Sequence, residues 1–281
     1  MNKFVKVDEQ EIMDRVYNEA PKDAVWVFDC DGTLINSDIS TFTGWSLVKN
    51  GMANPDLLPE PWVKGNKGIK IPFDEFEAII DHVTKIKGVT GCYEWEIELQ
   101  SGLSPKMVME VATEVLEVAL KEGHIRYTRH VAKLAERVKE NAWVVSGSSH
   151  PTVSAITAKL GIPPNRVLAT TLETLDGIYQ MRFEDPGIIW EETKRVILER
   201  NNVKEPYFVA GDTIGDWFMM LMPGKWRWCV LWDDYRHRGI EWRNFLKDNC
   251  FKGIEIPMEA GFYTINHNNY DWVIEIKGDF S

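Results

Sequence analysis

Residues 24–33 read AVWVFDCDGT. The run AVWVFD at 24–29 is short, apolar, β-branched and aromatic, and it ends in an acidic, Gly-containing turn. A strand buried on both faces of a parallel sheet reads this way. The pattern recurs at AWVVSGSS (142–149) and PYFVAGDTIGD (206–216), and WRWCVLWDD (226–234) reads as a further strand. Helical spacing fills the intervals. Ser104 and Pro105 open a helix as N-cap and first helical residue; Val108, Val111, Ala112, Val115, Leu116 and Ala119 line its apolar side, and Gly123 stops it. Val131, Leu134, Ala135 and Val138 mark a second helix, and Val153, Ile156 and Leu160, ended by Gly161, a third. Residues 188–200 (IIWEETKRVILER) read as a fourth, entered just after Pro186-Gly187.

Alternating strands and helices predict an α/β fold, a doubly wound parallel sheet of Rossmann-like type. The first two strands are more than 100 residues apart, whereas a crossover needs about a dozen. The excess is an insertion that begins after Ser37, is rich in Gly, Pro and aromatics, and becomes helical toward residue 122. Residues 1–36 and 124–281 are expected to form the core, and 37–123 a mainly α-helical cap. The tail at 259–281 reads only as a strand or edge packing.

The 281 residues are 44% hydrophobic and 27% charged, as in a globular chain. Lys and Arg number 32 against 43 Asp and Glu, a net charge of −11. Such a surface repels a phosphate backbone, so no nucleic-acid partner is expected. The N-terminal residues hold no apolar run of signal-peptide length, and no stretch is long and apolar enough to span a membrane. Four scattered cysteines, Cys30, Cys92, Cys229 and Cys250, form no CxxC pair, so buried thiols in a reducing cytoplasm are expected.

Ligands of an open parallel sheet bind at the carboxyl ends of its strands. Three such ends carry Asp29 and Asp31, Ser146 and Gly147, and Asp212 and Asp216; Lys194 lies on the helix before the last of these strands. Four carboxylates on one edge repel each other unless a cation sits among them, and an all-oxygen set suits Mg²⁺. A carboxylate also serves as a nucleophile toward phosphorus where a metal, a lysine, hydroxyls and N–H groups neutralise the charge.

These residues resemble the motifs of the haloacid dehalogenase (HAD) superfamily phosphatases. DCDGT matches the first motif, VVSGSS the second, Lys194 the third and GDTIGD the fourth, in the family's order. The resemblance implies that Asp29 attacks phosphorus to form an aspartyl-phosphate, and that Asp31 protonates the leaving alcohol and then activates water. It further implies that Ser146 and the Gly147 N–H hold phosphate oxygens and that Lys194 neutralises charge. Asp212 would bind Mg²⁺ directly with Asp29 and the Asp31 carbonyl, and Asp216 would orient metal-bound water or Lys194. The second acid, Asp31, favours phosphoryl transfer over dehalogenation.

Some readings stay open at this level. Ser146 also reads as a helix cap, Arg195, Lys204 and Lys225 rival Lys194, and Ser148 and Thr213 read as loop hydroxyls. Cys30, between the two acids, reads as packing. The six histidines, among them His124, His130, His150 and His237, have no partner at ligand spacing.

A helical cap after the first motif resembles the branch containing phosphoserine and phosphocholine phosphatases. The implied substrate is a small phosphomonoester, such as phosphocholine, phosphoethanolamine or phosphoserine; a phosphotransferase or mutase, or a non-catalytic binding protein, is the alternative. Of the 12 Trp, Trp26, Trp143, Trp226 and Trp228 fall in or near strands. Trp45, Trp62, Tyr93 and Trp95 fall in the cap, where they either face a cationic head group or pack the cap.

Overall fold

The computed structural model describes residues 4–7, 9–60, 62, 71–231, 261–266 and 273–276. Cys250, His237 and residues 232–234 of the fourth strand-like run lie outside them. The strands are β1 (Phe4–Val7), β2 (Trp26–Phe28), β3 (Ala142–Ser149), β4 (Val167–Thr170), β5 (Leu172–Leu175), β6 (Ile178–Phe183), β7 (Phe208–Gly211), β8 (Trp226–Leu231), β9 (Gly261–Asn266) and β10 (Val273–Ile276). Eight of them form one sheet in the order β1-β10-β9-β8-β7-β2-β3-β4. Pairing is parallel from β4 to β9 and antiparallel at β9–β10 and β10–β1. Thus 261–266 and 273–276, in the tail that sequence left undecided, continue the sheet.

Helices α1 (Glu9–Asn18), α2 (Ile39–Lys49), α3 (Phe73–Glu98), α4 (Pro105–Glu122), α5 (Val131–Arg137), α6 (His150–Lys159), α7 (Glu192–Arg200) and α8 (Trp217–Met220) complete the described fold. Alternation along the strands fills two layers. Trp26, Phe28, Val144, Phe208, Ala210 and Trp228 belong to one buried cluster, and Val27, Val145, Val209 and Cys229 to another, on the opposite face. Within 37–123, Leu47, Val48, Phe76, Ile79, Val83 and Trp95 form a cluster of their own. Ala112, Leu116 and Ala119 of α4 instead join the cluster that contains Phe28.

Helix α4 begins and ends on the residues that sequence names. The Ser104 hydroxyl accepts the Met107 N–H at 3.2 Å, and Gly123 takes the left-handed conformation at φ 78°. Helix α3 reverses at Gly88, whose φ of 75° and ψ of 177° are open only to glycine. The reversal stacks Phe76 on Trp95, ring centroids 6.0 Å apart; in a straight helix these positions would lie about 28 Å apart. Helix α7 starts at Glu192 and not at 188, because the Ile189 N–H is held by the Thr170 hydroxyl at 3.0 Å and Glu191 takes a φ of 51°. Among the described residues no helix is long and apolar enough to cross a membrane.

Candidate active site

Strand register sets the site. Phe28 lies opposite Val144 on β3 and Ala210 on β7, so Asp29, Ser146 and Asp212 emerge together at the carboxyl edge of three neighbouring strands. Lys194, 1% exposed, reaches this edge from α7. Its Nζ donates to Asp29 Oδ1 and Asp216 Oδ1, each at 2.6 Å. Burial opposes the lysine charge, yet the carboxylates of Asp216 and Asp29 outweigh it and hold its pKa above the ordinary lysine value. Burial and the Asp216 charge push Asp29 up to about 7 against the pull of Lys194.

The other oxygen of Asp216 accepts the N–H groups of Asp212 and Thr213 at 2.9 and 3.0 Å and the Thr213 hydroxyl at 3.3 Å. Both Asp216 oxygens are therefore engaged in shaping the loop and holding Lys194. Asp212 accepts the Thr33 hydroxyl at 3.4 Å. Gly32 lies against Asp212 with a φ of 80°, and a Cβ there would fall 2.0 Å from the Asp212 carboxylate. Oxygens of Asp29, Asp212 and Asp216 all lie within 4.8 Å of one another. This hard, anionic, oxygen-only set fits Mg²⁺.

Asp31 has a different set of partners. Its Oδ1 accepts the Ile39 N–H at 2.8 Å, and its Oδ2 accepts the hydroxyls of Ser148 at 2.7 Å and Ser146 at 3.3 Å. Its carboxyl thus stands apart from the three-carboxylate group, leaving its main-chain carbonyl as the group implied for a cation. Desolvation among protein atoms and the Asp38 charge push it up to about 8. Ser146 lies inside β3 and does not cap α6, whose N-cap position is Ser149.

Asp29, Asp31, Ser146, Gly147, Lys194 and Asp212 border one cavity, together with Asp38, Tyr93, Ser148, Trp190 and Thr213. The cavity, partly open to solvent, has a volume of about 30 Å³, room for about one or two waters. Tyr93 of α3 meets Trp190 across it, ring centroids 5.2 Å apart. The Trp190 ring lies so close over Gly215 that a Cβ there would come within 2.5 Å of it.

The other aromatic candidates sit elsewhere. Trp45 Nε1 donates to the Ile71 carbonyl, Trp62 Nε1 to Glu75, and Trp95 Nε1 to the Leu57 carbonyl. All three pack within the 37–123 segment. Cys30 is fully buried, and burial with the flanking acids pushes its thiol well up, which suits packing. Among the described residues, Arg195 pairs with Glu192 and Glu199, Lys225 pairs with Glu19, and Lys204 is exposed, leaving Lys194 as the lysine of the site. Sequence reasoning missed Asp38, Trp190 and the contact of Ser148 with Asp31. For Ser148 a signal existed, since residues two apart on a strand share a face.

The chain belongs to the haloacid dehalogenase-like hydrolases, whose family model matches residues 26–221. That span includes Asp29, Asp31, Ser146, Lys194, Asp212 and Asp216. No curated protein matches the chain by sequence. The fold is shared with the crystal structure of a conserved, functionally unknown protein from Anaerococcus prevotii DSM 20548, 14% identical over 93% of each chain with a TM-score of 0.61. A protein of unknown function from Bordetella pertussis Tohama I is also 14% identical, over 83% of this chain and 98% of that chain, with a TM-score of 0.59.

Proposed function

We propose that this hydrolase is a Mg²⁺-dependent phosphatase of small phosphomonoesters that works through an aspartyl-phosphate on Asp29. The observation that carries the reading is the convergence of Asp29, Asp31, Ser146, Gly147 and Lys194 on one cavity. Asp29 attacks phosphorus while the bond to the leaving oxygen breaks, and Asp31 gives that oxygen its proton. Asp31, now a carboxylate, takes a proton from the water that cleaves the acyl phosphate and restores Asp29. Ser146 and the Gly147 N–H hold the phosphoryl oxygens, and Lys194 offsets their charge. Asp29, Asp212 and the Asp31 carbonyl would hold Mg²⁺, which would supply Lewis-acid neutralisation of the phosphoryl charge.

The substrate class is read from the cavity lining, which includes the rings of Tyr93 and Trp190 and the Asp38 side chain. Rings and a carboxylate suit an ammonium head, so an amino-alcohol phosphate such as phosphocholine, phosphoethanolamine or phosphoserine fits best. Residues 37–123, as a cap over a core of 1–36 and 124–281, would close on it. The test is phosphate release from p-nitrophenyl phosphate with and without Mg²⁺. We expect Mg²⁺-dependent release that Asp29→Asn abolishes; undiminished release by that variant overturns the mechanism. Comparing kcat/KM for the three amino-alcohol phosphates tests the head group, and equal, very low values discard it.

A further inference from the structure

The carboxyl group of Asp31 is held at both oxygens. The main-chain N–H of Ile39 fixes Oδ1 at 2.8 Å, and the Ser148 hydroxyl fixes Oδ2 at 2.7 Å. Ser146 reaches Oδ2 only at 3.3 Å, and its own oxygen accepts the Ser148 N–H at 3.1 Å. Ser148 is 8% exposed and borders the cavity. Its hydroxyl and that of Ser146 both donate to Asp31 Oδ2, so the second motif delivers two hydroxyls and not one.

We propose that Ser148 is a positioning residue for proton donation, holding Asp31 Oδ2 toward the leaving oxygen and stabilising the charge that appears on it. This rests on the phosphatase reading above. As the bond between phosphorus and the leaving oxygen breaks, its electron pair passes to that oxygen, which takes the Asp31 proton. The carboxyl becomes a carboxylate, and the Ser148 hydroxyl donates to it. A hydrogen bond to an ionised acceptor is about twice as strong as a neutral one. The contact therefore strengthens toward the transition state, the kind of interaction that accelerates the chemical step. Without it, only the longer 3.3 Å contact from Ser146 remains on Oδ2, and the donor oxygen is less firmly held.

The test compares wild type, Ser148→Ala and Ser148→Thr on p-nitrophenyl phosphate and phenyl phosphate with Mg²⁺ present. The two esters share a shape, but p-nitrophenolate leaves as a stabilised anion and phenolate needs the proton more. The readout is kcat/KM, which reports formation of the aspartyl-phosphate whichever later step limits turnover. Ser148→Ala should lose about tenfold or more on phenyl phosphate and about twofold or less on p-nitrophenyl phosphate. Ser148→Thr should recover most of the loss. The inhibition constant of inorganic phosphate should stay within about twofold of wild type in both variants. Equal losses on the two esters, no recovery by threonine, or weakened phosphate binding overturns the role of Ser148 and leaves the phosphatase reading standing. A wild-type protein inactive on both esters overturns that reading and this inference with it.

Discussion

Lys194 sits between two buried carboxylates with almost no exposure to water. Removing it leaves Asp29 and Asp216 facing each other without a counter-charge. Breaking a buried ion pair from one side costs about 3–5 kcal/mol. Lys194→Met should lower unfolding stability by about that amount in a metal-free denaturant titration; a loss under about 1 kcal/mol would mean that the carboxylates simply take up protons. Gly215 is a second single-atom constraint, because the Trp190 ring occupies the space of a Cβ. Gly215→Ala should displace that ring and lower stability by about 1–3 kcal/mol, with a larger effect on kcat/KM for the ester than on fluorescence-detected folding. At this scale sequence was most informative where chemistry demands a residue type. Asp29, Asp31, Ser146, Lys194, Asp212 and Asp216 were all legible as one set, and the structure gathers them. Trp190 was not, since a ring that packs on a glycine from a distant loop leaves no local pattern.

Among the elements, legibility followed the strength of local signals. Helix α4 was readable because a serine cap, a proline and a left-handed glycine bracket it. Ser104→Ala should therefore cost about 1 kcal/mol, measurable as a lower denaturation midpoint at unchanged slope. The reversal in α3 was illegible, because nothing near Gly88 distinguishes a turn from a tolerated glycine until Phe76 and Trp95 are seen to stack. The β5–β6 hairpin turns on Asp176 and Gly177, both at positive φ; an Asp-Gly pair of this kind is a hairpin signal legible in the sequence. Helix α6 carries a pH signature. His150, at its first position, has its pKa lowered from 6.5 by burial. As pH falls through the ordinary histidine range the unfolded chain binds the proton first, so this contribution is present above about pH 6.5 and shrinks below it. His150→Gln should show a smaller loss of stability than wild type between about pH 7.5 and pH 5. Identical slopes in the two proteins would refute the assignment.

At the scale of the whole molecule, the net charge of −11 is in part a statement about one site. Three of those acids, Asp29, Asp212 and Asp216, are buried within reach of a single cation. A cation that binds only the folded chain stabilises it by mass action, about 2.7 kcal/mol at a hundred times its dissociation constant. Mg²⁺ should accordingly raise the melting temperature of the wild type and leave that of Asp212→Asn nearly unchanged. An equal shift in both proteins would place the cation elsewhere. The sheet order beyond β8 was the least legible large-scale feature. It depends on β9, β10 and β1 pairing across most of the chain length, and no local pattern encodes which edge a strand joins.

The small cavity beneath Tyr93 and Trp190 has a kinetic consequence. Those two rings are half-buried, whereas Lys194 and Ser146, which line the same cavity, are almost fully buried. In the proposed reaction the alcohol lies nearer the aperture and orthophosphate lies behind it. The products should therefore depart in a fixed order, alcohol first and orthophosphate last. An enzyme built this way is inhibited competitively by orthophosphate, whereas the released alcohol, meeting only the phosphorylated enzyme, inhibits noncompetitively. A covalent phosphoryl group held on Asp29 at the buried side of the cavity thus sets which product the enzyme feels as it accumulates.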